Sequence, residues 1–256
     1  FTFIFRGKSR ILKSRNKKDC KRNLLMKYFT YTNIGPRDIN EDSFFATIKD
    51  GTLYACIADG VGGMDYGDIV SKFATKLFSE ELIRFRNNQL QVSNDINERL
   101  TKYINDELTG ANAATTFTAG VIYNYELYGS HVGDSRICIL RGNGIKQLTE
   151  EHNEAGRLIR EGKLTSEDKK FYPRKNIIEH IMGNMNLYAP QKVYFQLNPS
   201  DRLIFSTDGF HDTISKRELR DISTVNSSFE QFNKQLVIEI ENRVLKDNTT
   251  FITVEI

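Results

Sequence analysis

The 256-residue sequence predicts an α+β fold built on antiparallel sheets. Apolar strand-like runs arrive one after another, and helical periodicities come in pairs instead of alternating with single strands. Asp50-Gly51, set between two apolar runs, is a hairpin signal. Only four prolines and no Ser/Gly-rich linker occur, so the chain reads as one structural unit. A composition of 39% apolar and 27% charged residues suits a globular core. No run of 18 apolar residues exists, which rules out a membrane-spanning helix.

The first strand-like segment follows Met26, and Phe44–Ile48 and Thr52–Ala58 flank the hairpin turn. Ile69, Phe73, Leu77 and Leu82 keep helical spacing and predict a helix from Asp68 to about Phe85. Ile96, Leu100, Ile104 and Leu108, four apart, predict a second helix from about Asn94. Strands are expected at 115–123, 126–132, 135–141 and near 145–148. Residues 152–185 are charged, weakly periodic and carry Gly156, Gly162 and Gly183, which predicts short helices in a mobile surface insert. Strands resume at 191–197 and 202–206. Helices follow from near Ser215 and over about 228–245, and Thr250–Ile256 closes the chain as a strand.

The net charge of +3 is a sum over two unlike parts. Residues 1–25 hold nine basic side chains and one acid, which leaves 27 basic and 32 acidic residues, net −5, over 26–256. The tail lacks the charge-then-apolar order of a secretory signal. A transit segment or a polyanion-contacting arm has the same composition, but the expectation adopted is a disordered extension outside the folded unit. Cys56 and Cys138 lie in apolar runs and Cys20 in the tail. That spacing argues for core thiols in a reducing compartment. Neither Cys56 nor Cys138 has an arginine six positions on, as a cysteine-dependent phosphatase loop would need.

Three apolar strands end in an aspartate: Ala55-Cys56-Ile57-Ala58-Asp59-Gly60, His131-Val132-Gly133-Asp134 and Leu203-Ile204-Phe205-Ser206-Thr207-Asp208-Gly209. Asp247 opens the last strand, and Glu41-Asp42 precede the hairpin. Each acid alone reads as a turn residue, as Asp50 does. Together they favour a polynuclear site for hard cations such as Mg²⁺ or Mn²⁺, because buried carboxylates need compensation. The glycines at 62 and 67 have P-loop spacing, but Asp68 stands where the lysine is required. Asp65 breaks the dinucleotide fingerprint, and neither a G-x-S-x-G nor an H-E-x-x-H motif occurs. His131, His152, His180 and His211 have no zinc-like spacing and read as surface or loop residues.

In order, the sequence also contains Gly35-Pro36-Arg37-Asp38-Ile39-Asn40-Glu41-Asp42, Ala58-Asp59-Gly60-Val61-Gly62-Gly63, Ala114-Thr115-Thr116, Val132-Gly133-Asp134-Ser135-Arg136, Gln147-Leu148-Thr149-Glu150-Glu151-His152, Pro173-Arg174-Lys175-Asn176, Ser206-Thr207-Asp208-Gly209-Phe210 and Asp247-Asn248-Thr249-Thr250. These eight blocks resemble the PPM, or type 2C, metal-dependent protein Ser/Thr phosphatases, in their compact bacterial-type branch. The resemblance implies a four-layer α-β-β-α sandwich of two antiparallel sheets flanked by helix pairs. It covers residues 28–256, which implies a single catalytic domain over 26–256 with 152–185 as its flap.

The implied activity is hydrolysis of phosphoserine and phosphothreonine in proteins by a metal-activated water. Two Mn²⁺ or Mg²⁺ ions are implied, with a third, weaker one. Asp59 would bridge the two ions, with the Gly60 carbonyl completing one, and Asp208 and Asp247 would ligate the other. Asp134, helped by Asp208, matches the third position. Glu41, Asp42 and Asn248 would support the ions from behind their ligands. Arg37 would grip the substrate phosphate with its guanidinium fork, and Arg37 and Asp59 are the catalytic residues implied. His152 and Arg174 fall in the flap. Val61, Met64 and Glu151 depart from residues common in relatives, outside the expected ligands. The implied partners are phosphoproteins, including a Ser/Thr kinase or its substrates, with no nucleic acid. A cytoplasmic monomer is expected. The alternative is a pseudophosphatase that binds phosphoproteins without turnover, against which the presence of Asp59, Asp208 and Asp247 speaks.

Overall fold

The computed structural model describes residues 26–61, 66–108 and 111–256. The expectations for the tail, Gly62, Gly63 and Met64 lie outside the described residues. In chain order the strands are β1 (Lys27–Asn33), β2 (Asp42–Lys49), β3 (Thr52–Asp59), β4 (Phe117–Tyr123), β5 (Glu126–Val132), β6 (Arg136–Arg141), β7 (Gly144–Gln147), β8 (Gln191–Gln196), β9 (Arg202–Ser206) and β10 (Thr249–Glu255). The helices are α1 (Gly67–Glu80), α2 (Leu82–Asn87), α3 (Gln89–Glu107), α4 (Glu154–Arg160), α5 (Asp208–Thr213), α6 (Lys216–Val225) and α7 (Phe229–Glu241). Among the described residues a single 3₁₀ turn, Asp168–Phe171, lies within 152–185, the segment expected as a flap.

Two five-stranded sheets form, ordered β1-β10-β9-β6-β7 and β2-β3-β4-β5-β8, and every named pairing is antiparallel. Their facing sides enclose one apolar layer that includes Leu53, Ile57, Ile122, Leu203, Phe205 and Ile252. The outer side of the second sheet packs Cys56 and Phe117 against α1–α3 through Phe78, Phe85, Ile96 and Leu100. The outer side of the first sheet packs Ile204 and Phe251 against α5–α7 through Phe210, Phe232 and Leu236. The layers therefore run helix, sheet, sheet, helix, as expected. Alternation along each strand feeds a different apolar layer on each face.

Three helical expectations change. The single helix over 68–85 breaks at Glu81, whose backbone leaves the helical region and whose carboxylate pairs with Arg84 and Arg99. The helix after it begins five residues earlier than the apolar spacing indicates, because Asn88 caps it by accepting the Gln91 N–H. The short α5 has no counterpart in the sequence reading; its glycine and only six residues hide any period. Ser215 does start a helix, through a capping box with Glu218. His131 is buried within β5, not a surface or loop residue, and His152 lies in a loop as expected but is buried there. The His131 ring satisfies both nitrogens, Nε2 donating to the Glu150 carbonyl and Nδ1 accepting from the Thr118 hydroxyl, each at 2.8 Å.

Candidate active site

Register brings the acids together. In the β2–β3 pair Asp42 stands opposite Asp59. In the β6–β9 pair Arg136 stands opposite Ser206, so two residues beyond each of these positions Asp134 and Asp208 reach the same rim. Asp247 and Asn248 enter that rim as β10 begins beside β9 and β1. The strand ends of both sheets thus converge on one edge of the sandwich.

Hydroxyls join the two sheets there. Thr207 Oγ1 donates to Asp42 Oδ2 at 2.9 Å. Thr116 Oγ1 accepts the Asp59 N–H at 3.0 Å and lies 2.9 Å from Ser135 Oγ. Close backbone approaches complete the rim. A Cβ on Gly209 would stand 2.0 Å from the Asn248 carbonyl oxygen, so only glycine lets the first turn of α5 pack against the Asp247-Asn248 turn. A Cβ on Gly60 would meet the Gly67 backbone at 2.6 Å, and one on Gly67 would meet a Glu41 carboxylate oxygen at 2.6 Å. The Asn248 side chain accepts the Glu41 N–H and donates to the Ile34 and Ile39 carbonyls, which fixes the loop bearing Arg37.

Arg37 Nη2 lies 2.8 Å from Asp247 Oδ2, with about half of the arginine side chain exposed. That hydrogen bond raises the already high arginine pKa. The carboxylates move the other way from ordinary acids. Burial pushes Asp42 up to about 7, and Asp42 Oδ1 is a buried acceptor with no partner. Burial raises Asp59 well above the carboxylate range, with Asp42 and Asp208 adding repulsion. Burial, then Asp134, does the same to Asp208, and burial, then Glu151, raises Asp134. Burial also raises Glu41.

Among the described residues, no group of three His, Cys, Asp or Glu side chains is already gathered as a metal cage. Asp247 is instead turned onto Arg37. The donor set still fits hard divalent cations: it is all oxygen and mutually repelling, with Asp42 and Asp134 buried and Asp59, Asp208 and Asp247 partly so, and it leaves one acceptor unpartnered.

The flap residues separate from this rim. Arg174 pairs with Glu154 at 2.7 Å. His152 sits between the His131 and His180 rings, its Nδ1 accepting the Gly133 N–H, and lines a hollow with Arg160 and Gln191. Burial lowers His152 to about 3 and His131 to about 4, so both are neutral at pH 7. His211 is also pushed well below its ordinary value by burial and lies 3.4 Å from Ser206 Oγ.

Sequence reasoning missed the hydroxyls of Thr116, Ser135 and Thr207. Their signal is a small hydroxyl residue adjoining each strand-end acid. It also missed a buried ion network, in which Glu151 accepts from Arg136 Nε at 2.9 Å and pairs with Lys169 of the flap. Burial works against the Glu151 charge, yet Arg136 and Lys169 pull its pKa down to about 2.

One family profile, described as Protein phosphatase 2C, matches residues 32–248. The chain is 26% identical to a serine/threonine phosphatase stp of Listeria welshimeri over 219 residues, 81% of this chain and 86% of the relative. It is 28% identical to protein phosphatase PhpP of Streptococcus pneumoniae over 232 residues, 86% of this chain and 93% of the relative. A solved structure of the S. agalactiae serine/threonine phosphatase superposes with a TM-score of 0.80 at 28% identity, covering 90% of this chain and 99% of the other.

Proposed function

The chain belongs to the protein phosphatase 2C family and is a metal-dependent serine/threonine protein phosphatase, and we propose that residues 26–256 form one catalytic domain centred on the carboxylate rim. Asp59 is assigned as the ligand shared by two cations, Mn²⁺ or Mg²⁺, with the Gly60 carbonyl on one of them. Asp208 and Asp247 are assigned to the other, and Asp134 with Asp208 to a third, weaker ion. When bound, the cations supply a water nucleophilic at neutral pH and neutralise charge on the phosphoryl group.

The protein's own groups do the rest. Asp42 and Glu41 accept hydrogen bonds from water in the site and orient it; Asp42 Oδ1 is the acceptor available for that. Arg37 directs its remaining N–H donors at the phosphoryl oxygens, and its bond to Asp247 holds the guanidinium at the rim. Thr207 and Thr116 keep the two sheet edges in register, so the acids stay aligned through turnover. The flap, residues 152–185, borders the cleft beside Asp134 and Asp208.

The observation that carries this reading is a group of acids from both sheets, raised in pKa by burial and, for Asp59 and Asp208, by mutual repulsion, whose charged partners among the described residues are the half-exposed Arg37 on Asp247 and Arg136 near Asp134. The reading extends to a cytoplasmic monomer acting on phosphoproteins of a serine/threonine kinase, or on that kinase itself, and not on nucleic acid. No helix of the described residues is long and apolar enough to cross a membrane. The test is phosphate release from p-nitrophenyl phosphate and a phosphothreonine peptide. Activity lost on chelation and restored by Mn²⁺ is expected. Binding of the peptide without turnover in Mn²⁺ would make the protein a phosphoprotein-binding regulator instead.

A further inference from the structure

A cleft of about 180 Å³ runs from Asp134 and Asp208 to the flap. Setting aside those two acids, its lining carries four cations, Arg136, Lys169, Lys170 and Lys175, against two carboxylates, Glu151 and Asp212. Glu151 is shared between Arg136 and Lys169. Lys175 meets Asp212 only loosely, at 3.9 Å with the lysine about a third and the aspartate about half exposed, and solvent-screened pairs of that kind hold little energy. Lys170 lies over the Phe171 ring and has no carboxylate partner among the described residues. The flap therefore presents under-compensated ammonium groups to the mouth of an otherwise acidic site.

The spacing defines what they could recognise. Asp208 and Asp212 are four residues apart on α5, so Asp212 stands one helical turn, about 6 Å, along from Asp208, and Lys175 Nζ lies 3.9 Å from Asp212 Oδ2. In an extended peptide, side chains two residues apart lie on the same face and about 7 Å apart. That spacing is comparable to the turn that separates Asp208 from Asp212, so a phosphoresidue at the rim brings the side chain two positions away into the part of the cleft lined by Lys170 and Lys175.

We propose that Lys170 and Lys175 form a second anion subsite, selecting phosphoprotein substrates that carry a carboxylate or a second phosphate two residues from the phosphoresidue. The proposal rests on the phosphatase reading above and adds a substrate class to it. Lys169 is a positioning residue here: its pair with Glu151 fastens the 3₁₀ turn that bears Lys170 against the body.

The test compares kcat/KM of the full chain with Mn²⁺ on three phosphothreonine peptides that differ only two positions from the phosphothreonine, carrying alanine, aspartate or phosphoserine. p-Nitrophenyl phosphate serves as the check on the phosphatase reading itself: its turnover separates failure of the subsite from failure of that reading. The expected result is a preference of about tenfold for aspartate over alanine, a larger one for phosphoserine, and weakening of both in high salt. In Lys170→Ala/Lys175→Ala the ratio should fall to near one, and in Lys170→Glu/Lys175→Glu it should invert. Lys175→Arg should keep it. A phosphoserine preference without an aspartate one would narrow the ligand to phosphate. Equal rates on all three peptides in the unmodified protein, or a ratio that survives both double variants, would overturn the proposal.

Discussion

Two groups of buried charge lie side by side at the mouth of the sandwich, and burial affects them in opposite ways. At the Arg136–Glu151–Lys169 network, one carboxylate faces two cations of the chain and its pKa falls to about 2. At the rim, Asp42, Asp59, Asp134 and Asp208 face one another and their pKa values rise. The first group is compensated internally and holds the flap to the body. Among the described residues the second has only Arg37 on Asp247 and Arg136 near Asp134 as counter-charges, and it is the group proposed to take up divalent cations. The presence or absence of an internal partner, more than burial, separates charge that maintains the fold from charge that performs chemistry.

The largest break in that comparison comes at the rim. Asp208→Asn should lower kcat by about 1,000-fold, the scale set when one electrostatic partner of the transition state is removed. Metal-free stability should be unchanged or higher, because a repelling charge has gone. Circular dichroism melts beside phosphate-release rates check both halves, and near-normal turnover would show that Asp208 is misassigned.

The network should respond in reverse. Glu151→Gln should leave the rim acids in place but cost about 3 kcal/mol of stability at pH 7, from a pKa lowered by roughly two units or more. A lowered acid stabilises fully above its unfolded value of about 4.5, and that contribution disappears as pH falls toward 2. Urea midpoints for the two proteins should therefore converge below pH 3. Parallel curves from pH 7 to 2 would remove the network's role.

His131 sharpens the comparison with a buried group held neutral. Its pKa of about 4 lies below the ordinary value, so its contribution is complete above pH 6.5 and lost between 6.5 and 4, up to about 3 kcal/mol. The stability of His131→Gln relative to the unmodified protein should accordingly rise as pH falls through that window. A constant difference would show that His131 is not buried neutral.

The smallest effect belongs to Arg37, which joins the rim to substrate. Arg37→Ala should raise KM for phosphopeptides about tenfold, one charge-assisted hydrogen bond's worth, and steady-state kinetics that leave KM unaltered would remove its phosphate contact.

Much of this was legible in the sequence because strands and turns are local. The Asp59-Gly60 and Asp208-Gly209 ends follow apolar runs that any sheet would bury, and the Ile96–Ile104 spacing announces a helix face. The meeting of Asp42 with Asp59, or of Asp134 with Asp208, depends on antiparallel register between distant strands, which composition does not encode. The resemblance supplied that pairing before the structure did. The Arg37–Asp247 pair, the Glu81–Arg99 pair and the burial of His131 against Glu150 join residues 18 or more positions apart, beyond the span of any local pattern.

The central claim is that the rim acids are compensated by divalent cations and become catalytic when they are. Chelator-stripped protein at pH 7.5 should be titrated with Mn²⁺ while melting temperature and phosphothreonine-peptide turnover are followed together, beside Asp208→Asn. The account predicts that both quantities rise over the same Mn²⁺ range in the unmodified protein and that neither does so in the variant. Full turnover in the stripped protein, with a melting temperature indifferent to Mn²⁺, would contradict it.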